Sequence, residues 1–259
     1  MLDNLLIYKS NFVRQGNMKF LEELTTKWKK SPLKPVQIIA FGSSNTELHW
    51  HSLGHFNWFS WLSCAMREWI GRHVTLINAG INGETAENLL KRIERDVLSL
   101  SPDATIITIG GNDALLKFPV DQYRKNLLTI INIIREAEIL PILQTYYCPL
   151  YKKMPESFSI FKKFVEVNRN LSTEKGIPII DQYKYFLPLY ENEPEVYSEL
   201  MNDGLHVNPI GNSIMGIIAC RHFSLPDPIF MNRTFRKKVR KYLNLMNRYT
   251  EFLPKIKKT

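Results

Sequence analysis

An alternation constrains the fold most. Through the middle of the chain, short β-branched apolar runs take turns with longer stretches of helical period. The runs are Val36–Phe41, Val74–Asn78, Ala104–Ile109, Ile139–Tyr146 and Ile177–Ile180. Few polar residues interrupt them, as expected of strands covered on both faces. The stretches between are Phe56–Ile70, Thr85–Leu100, Val120–Ala137 and Phe158–Lys175. In the third, Tyr123, Leu127, Ile130, Ile131 and Ile134 fall on one side, the apolar stripe of a helix packed on a core. Gly71, Ser101-Pro102 and Gly176 stand where these helices should stop. Strand–helix alternation at this spacing predicts a parallel sheet with helices on both faces, a three-layer α/β/α domain.

The 259 residues suit one large domain with terminal extensions. We divide them into an N-terminal helical extension (1–34), a central domain (35–225) and a basic amphipathic C-terminal helix (226–259). With 44% hydrophobic and 12% aromatic residues the chain is not globally disordered. No apolar run approaches the length of a membrane span. The N-terminus carries Asp3 and no long apolar segment before a small-residue cleavage site, which reads against a secretion signal. Cys64, Cys148 and Cys220 are widely spaced and odd in number, favouring a reduced protein over a disulfide scaffold. A cytoplasmic location is therefore expected. The net charge of +9 is uneven: residues 226–259 hold ten Lys/Arg against two acids, while 35–225 hold 17 basic and 20 acidic residues. The ends are basic and the body is not.

In parallel α/β sheets, ligands bind outside the carboxyl ends of the strands. There the sequence reads Gly42-Ser43-Ser44-Asn45 after the first strand and Ala79-Gly80-Ile81-Asn82-Gly83 after the second. Gly110-Gly111-Asn112-Asp113 follows the third. A fourth segment, Asn202-Asp203-Gly204-Leu205-His206-Val207-Asn208-Pro209, precedes a helical run from Ile210 to Phe223. An acid and an imidazole three residues apart in a Gly-containing loop can converge on one point. Taken alone, each string is ordinary turn chemistry, and the two serines read as turn caps as readily as a nucleophile.

Together the four segments resemble the SGNH (GDSL-type) ester hydrolases, named for Ser, Gly, Asn and His in four separated blocks. Gly42-Ser43-Ser44-Asn45 stands for the family's Gly-Asp-Ser-Leu, Gly80 for the second block, Gly110-Gly111-Asn112-Asp113 for Gly-x-Asn-Asp, and Asp203-Gly204-Leu205-His206 for Asp-x-x-His. They come in the family's order and span roughly 35–223. The resemblance implies a flavodoxin-like, five-stranded parallel sheet and a Ser44–His206–Asp203 triad. It also implies an oxyanion hole from the backbone N–H of Ser44 and Gly80 and the Asn112 amide, with no metal or organic cofactor. Ser43 replaces the family's usual Asp, which alters hydrogen bonding beside the nucleophile.

Rival motifs fail. A G-x-S-x-G elbow needs glycine where Thr46 stands, and neither G-x-G-x-x-G nor a Walker lysine motif is present. His49, His51 and His55 cluster after the nucleophile. Lacking Cys or paired carboxylates, they read as a polar pocket rim rather than a metal site. Trp50, Phe56 and Trp58 read first as core and second as a substrate pocket. Asp113 is expected to cap a turn, and His73 and His222 to be structural. Loops at Cys148–Ser159, with Tyr151, Lys152 and Lys153, and at Tyr183–Pro194 are expected to set specificity. In the tail, Phe235, Val239, Tyr242, Met246, Tyr249 and Leu253 make an apolar stripe, with Arg233, Arg236, Lys237, Arg240 and Lys241 mostly elsewhere. This is foremost a helix docked on the domain, with the Asn17–Lys30 segment as its packing partner. Secondarily it is a site for an anionic membrane surface, and nucleic acid is the least favoured partner.

The expected activity is hydrolysis of a carboxylic ester through an acyl-enzyme, on a short-chain acyl or acetylated small molecule such as a sugar. A lysophospholipase or acyltransferase at a membrane surface, or a non-catalytic SGNH binding module, are the alternatives.

Overall fold

The computed structural model describes residues 17–48, 51–150 and 157–251. Five strands form one sheet: β1 (Val36–Gly42), β2 (Val74–Gly80), β3 (Ala104–Thr108), β4 (Leu140–Gln144) and β5 (Ile179–Ile180), in the order β2-β1-β3-β4-β5. All pairings are parallel. The expected five-stranded sheet is present, with strand ends shifted by one to two residues.

The connections dictate the layers. The crossover through α2 (Trp58–Trp69) steps from β1 outward to β2. Those through α3 (Ala86–Asp96), α5 (Val120–Glu136) and α6 (Ser157–Lys175) step the other way. Right-handed crossovers in opposite directions lie on opposite sheet faces. Accordingly α3 packs on α5 and α5 on α6, while α2 packs against α9 (Pro209–His222). The reversal of direction at β1 and β3 opens a crevice at their carboxyl ends, where such folds bind ligands. The β1–β2 register pairs Gly42 with Gly80, and the β1–β3 register pairs Gly42 with Thr108. The segments beyond these three strands therefore leave the sheet at one level.

Two expectations need correction. Tyr183–Pro194 is not a specificity loop: it folds as α7 (Gln182–Asn192), followed by the short α8 (Pro194–Ser198). Tyr183, Tyr185, Phe186 and Leu189 are buried along α7. Burial of three aromatic rings outweighs the cost of Pro188 inside the helix, which is roughly 3 kcal/mol. Nor do the terminal helices take each other as main partners. The N-terminal α1 (Asn17–Lys30) packs on α9 through Phe20, Leu21, Leu24 and Trp28, all buried. The C-terminal α10 (Arg233–Tyr249) packs on α7 and α9. Its stripe is buried at Val239, Tyr242 and Met246 as expected, whereas Leu253 lies outside the described residues, as do His49, Trp50 and Tyr151, Lys152 and Lys153. A further short helix, α4 (Gly111–Leu115), begins inside the third motif block. Among the described residues, no helix is long and apolar enough to cross a membrane.

Candidate active site

β1 ends at Gly42, and the chain turns at once. Thr46 and Glu47 N–H both donate to the Ser43 carbonyl, at 2.8 and 3.0 Å. Two amides fix the turn's far side: Asn57 Nδ2 and Asn78 Nδ2 each donate to the Thr46 carbonyl at 2.6 Å. Asn57 also caps α2 by accepting from Ser60 N–H at 2.9 Å. Ser43, where the resembling family has Asp, lies 2.6 Å from the Tyr146 hydroxyl. Desolvation by burial pushes that phenol up to about 12, so it stays a neutral donor or acceptor. Ser44 itself is nearly buried.

The fourth block arrives from the other side. Asp203 Oδ1 accepts the backbone N–H of Leu205 and His206 at 2.6 and 2.7 Å, and Oδ2 lies 2.8 Å from His206 Nδ1. His206 Nε2 is 3.0 Å from Ser44 Oγ. The loop is anchored where it leaves, because Asn208 accepts from Ile210 and Gly211 N–H at the start of α9. Tyr147 ties the two loops together. Its buried hydroxyl accepts Val207 N–H at 3.0 Å and lies within bonding reach of the Leu205 carbonyl and Asn45 Oδ1. The imidazole is thus flanked on both sides in sequence by groups pinned to one phenol.

Electrostatics follow from this packing. Burial raises the Asp203 carboxyl, but the Leu205 and His206 N–H groups and the imidazole outweigh it, and the net shift is downward. His206 is lowered, chiefly by burial and further by the nearby His51, despite Asp203 pulling the other way. At neutral pH the imidazole is therefore an unprotonated acceptor.

Sequence reasoning missed how His51 is used. Its ring stacks on His206, with centroids 3.4 Å apart and planes within 8°. Asn202 Nδ2 donates to the His51 carbonyl at 2.9 Å, so the loop after β1 is tied to the loop carrying His206. No pattern in the sequence marks a contact between residues so far apart. His51, Asp203 and His206 are also the described residues whose ligand atoms gather closely, within 4.8 Å of one another. His55 is exposed and lies outside that group. Trp58 is fully buried and belongs to the core. Phe56 is half exposed, edge-on to Trp61 at 5.1 Å.

The second and third blocks meet beside this triad-like array. Asn112 Nδ2 donates to the Glu84 carbonyl at 2.8 Å, which orients the amide and leaves its second N–H for another partner. Asp113 accepts Ala86 N–H, capping α3 rather than its own helix. Burial raises its carboxyl to about 6. Gly80 permits a close backbone approach, here that of the turn after β1. A Cβ there would lie 2.4 Å from Glu47 N, and its own N–H donates to Asn78 Oδ1 at 2.9 Å. Gly83, three residues on, has φ +78°, and among the described residues other than its chain neighbours no heavy atom would lie within 4 Å of a Cβ there. His73 and His222 bond the carbonyls of Trp28 and Ile218, as structural histidines should. A cavity of about 360 Å³ opens at the opposite, amino-terminal sheet edge among Trp28, Asp103, Arg135 and Pro178, away from Ser44, Asn112 and His206.

Residues 40–214 match the model of the GDSL-like Lipase/Acylhydrolase family. An arylesterase of Vibrio mimicus is 29% identical over 154 residues, which is 59% of this chain and 71% of that protein. An uncharacterized lipoprotein, YqeF, of Bacillus subtilis is 24% identical over 68% of this chain and 81% of its own. Among solved structures, a lipase/acylhydrolase from Enterococcus faecalis superposes with a TM-score of 0.61 at 29% identity, covering 75% of this chain and all of that one. The acetyl xylan esterase AlAXEase shares the fold, with a TM-score of 0.62 at 24% identity over 71% and 98% of the two chains. With this match over most of the central domain, and the four blocks gathered at one edge of the sheet, the chain belongs to the GDSL-like lipase/acylhydrolase (SGNH) family of ester hydrolases.

Proposed function

We propose that the protein hydrolyses the carboxylic ester of a short-chain acyl group, an acetylated sugar or similar small molecule, through an acyl-enzyme on Ser44. One observation carries this reading: the Ser44 hydroxyl lies 3.0 Å from His206 Nε2, while Nδ1 of the same ring lies 2.8 Å from Asp203. A serine hydroxyl is a poor nucleophile until a neighbouring base accepts its proton. His206 accepts that proton as Oγ attacks the carbonyl carbon, then returns it to the leaving alcohol. Asp203 holds the tautomer with Nδ1 protonated and stabilises the imidazolium. Water repeats the sequence to release the acid and regenerate Ser44.

Charge on the carbonyl oxygen needs donors set in advance. The Ser44 N–H and the second Asn112 N–H serve this role in our reading. The Gly80 N–H is held by Asn78. We therefore assign the backbone donor of that loop to Gly83, whose neighbour Glu84 is bonded to the Asn112 amide. The acetyl group in the name of one structural neighbour, an acetyl xylan esterase, supports a small acyl group in this reading. Three widely spaced cysteines fit a reducing, cytoplasmic setting, which is part of the same proposal.

Nitrophenyl esters of increasing chain length test it. Acetate should turn over faster than palmitate, and Ser44→Ala should abolish both. Asn112→Ala should lower kcat by roughly 10²–10³ with little change in melting temperature. Turnover that survives in Ser44→Ala would refute the proposal. Rapid labelling of Ser44 without ester hydrolysis would instead favour transfer of the acyl group to an acceptor hydroxyl.

A further inference from the structure

The C-terminal helix α10 carries Arg233, Arg236, Lys237, Lys238, Arg240, Lys241 and Arg248 and no acidic residue. Val239, Tyr242, Leu243 and Met246 are buried against the domain, while Arg233, Lys237, Lys238, Arg240, Lys241 and Arg248 are exposed. At 100° per residue these six fall within somewhat under half of the helix circumference, opposite the buried stripe. The family match ends at residue 214, so this helix is an addition to the matched region.

Its position ties it to the candidate active site. Near its first turn, Trp61 packs against Phe230 and Phe235 at 4.5 and 6.2 Å, and Phe56 packs on Trp61. Phe56 belongs to the segment after β1 that also carries His51. Along its middle, the Tyr242 hydroxyl bonds the Glu199 carboxylate, and Asn208 Nδ2 donates to the Glu199 carbonyl at 2.7 Å. Asn208 closes the loop that carries His206. The basic helix is thus linked, through one or two intervening side chains, to both loops that flank the crevice. Exposed apolar side chains accompany it: Met231 is 90% and Ile229 44% exposed just before the helix.

We propose that this flank is a docking surface for an anionic lipid leaflet, with the exposed basic face of α10 on the headgroups and Met231 and Ile229 inserted at the interface. Phosphate-rich surfaces attract such a face whatever their source, but the apolar side chains favour a bilayer. A nucleic acid backbone offers them nothing to enter. Docking would hold the crevice at the membrane whichever ester it cleaves, so the inference is independent of the substrate proposed above.

Sedimentation of the protein with lipid vesicles tests it. Vesicles of equimolar phosphatidylcholine and phosphatidylglycerol should carry the protein down, and phosphatidylcholine alone should not. Each basic residue near such a surface contributes roughly fivefold, so the triple variant Arg233→Glu, Lys237→Glu, Arg240→Glu, which also adds repulsion, should lose at least on the order of a hundredfold in partition coefficient. Met231→Ser should lose a few fold. Binding should weaken as salt is raised to roughly 1 M, where the Debye length falls to about 3 Å. The triple variant should retain turnover of nitrophenyl acetate, which reports that it is folded. Ser44→Ala should bind vesicles like the unmodified protein, separating this test from that of the catalytic reading. Failure of the unmodified protein to bind anionic vesicles would overturn the proposal. So would equal binding to neutral ones, or tighter binding to a DNA duplex at the same salt.

Discussion

His51 and His206 lie ring on ring, and that contact gives the proposed base a fixed face. An aromatic pair of this kind contributes about 0.5–1.5 kcal/mol. His51→Ala should therefore lower kcat about two- to tenfold with little effect on KM, because the imidazole gains rotational freedom. His51→Phe keeps a flat ring but no charge, so it should preserve kcat while moving the acid limb of the pH–rate profile upward. For the unmodified protein that limb should lie below the ordinary histidine value of 6.5, since burial lowers His206. Activity falls as His206 takes up a proton and can no longer accept one from Ser44. A limb above 6.5, or equal losses in both variants, would contradict this account. At this scale Ser44, Asp203 and His206 were legible because short motifs carry them. His51 against His206 was not, since nothing local in sequence records a long-range stack. The Gly80 expectation fell between. The glycine is required, but by the close approach of Glu47, and its amide is engaged by Asn78.

Helix α3 shows how an element can hide its role. Arg92 reads as one more cation on an amphipathic helix, yet it is nearly buried. Its guanidinium donates to the carbonyls of Gly42 and Ala79 at 2.9 Å each and pairs with Glu84 and Asp96. It also lies over the Phe41 ring at 4.5 Å. One side chain therefore joins the ends of β1 and β2 to the helix that follows them. Removing one partner of a buried ion pair leaves the others unpaired in low dielectric, at a cost of about 3–5 kcal/mol. Arg92→Met should lose about that much in urea denaturation, and a loss under 1 kcal/mol would show the network to be dispensable. Strands and their helices were readable from hydrophobic period. Helix α7 escaped because Pro188 and Pro194 mark loops by local rules, whereas burial of its aromatic face decides the outcome.

Across the whole molecule, two buried groups give the stability curve opposite slopes. Burial lowers His222 from 6.5 to about 4. Its contribution is present above the unfolded value and is lost as pH falls through the folded one. Asp113 is raised from 3.8 to about 6. Its contribution is present below the unfolded value and is lost as pH rises through the folded one. Each shift is worth roughly 3 kcal/mol at most, so between about pH 4 and 6 the two largely cancel. Asp113→Asn removes one side. It should gain about 1–3 kcal/mol at pH 7.5, retain its cap on α3, and show a stability that climbs steeply from pH 4 to 6.5. Denaturation midpoints across that range measure this, and an unchanged midpoint at pH 7.5 would contradict it. The overall architecture was legible from strand–helix alternation. Which neighbour each terminal helix chose was not, because apolar stripes state a need for burial without naming the surface that meets it.

The central claim is that one hydroxyl, at residue 44, becomes acylated. Peptide mapping by mass spectrometry after reaction with a fluorophosphonate tests it most directly. One covalent adduct is expected, on Ser44, formed rapidly at neutral pH and almost lost in His206→Ala. An adduct on Ser43, or no adduct in a protein that still cleaves esters, would contradict it.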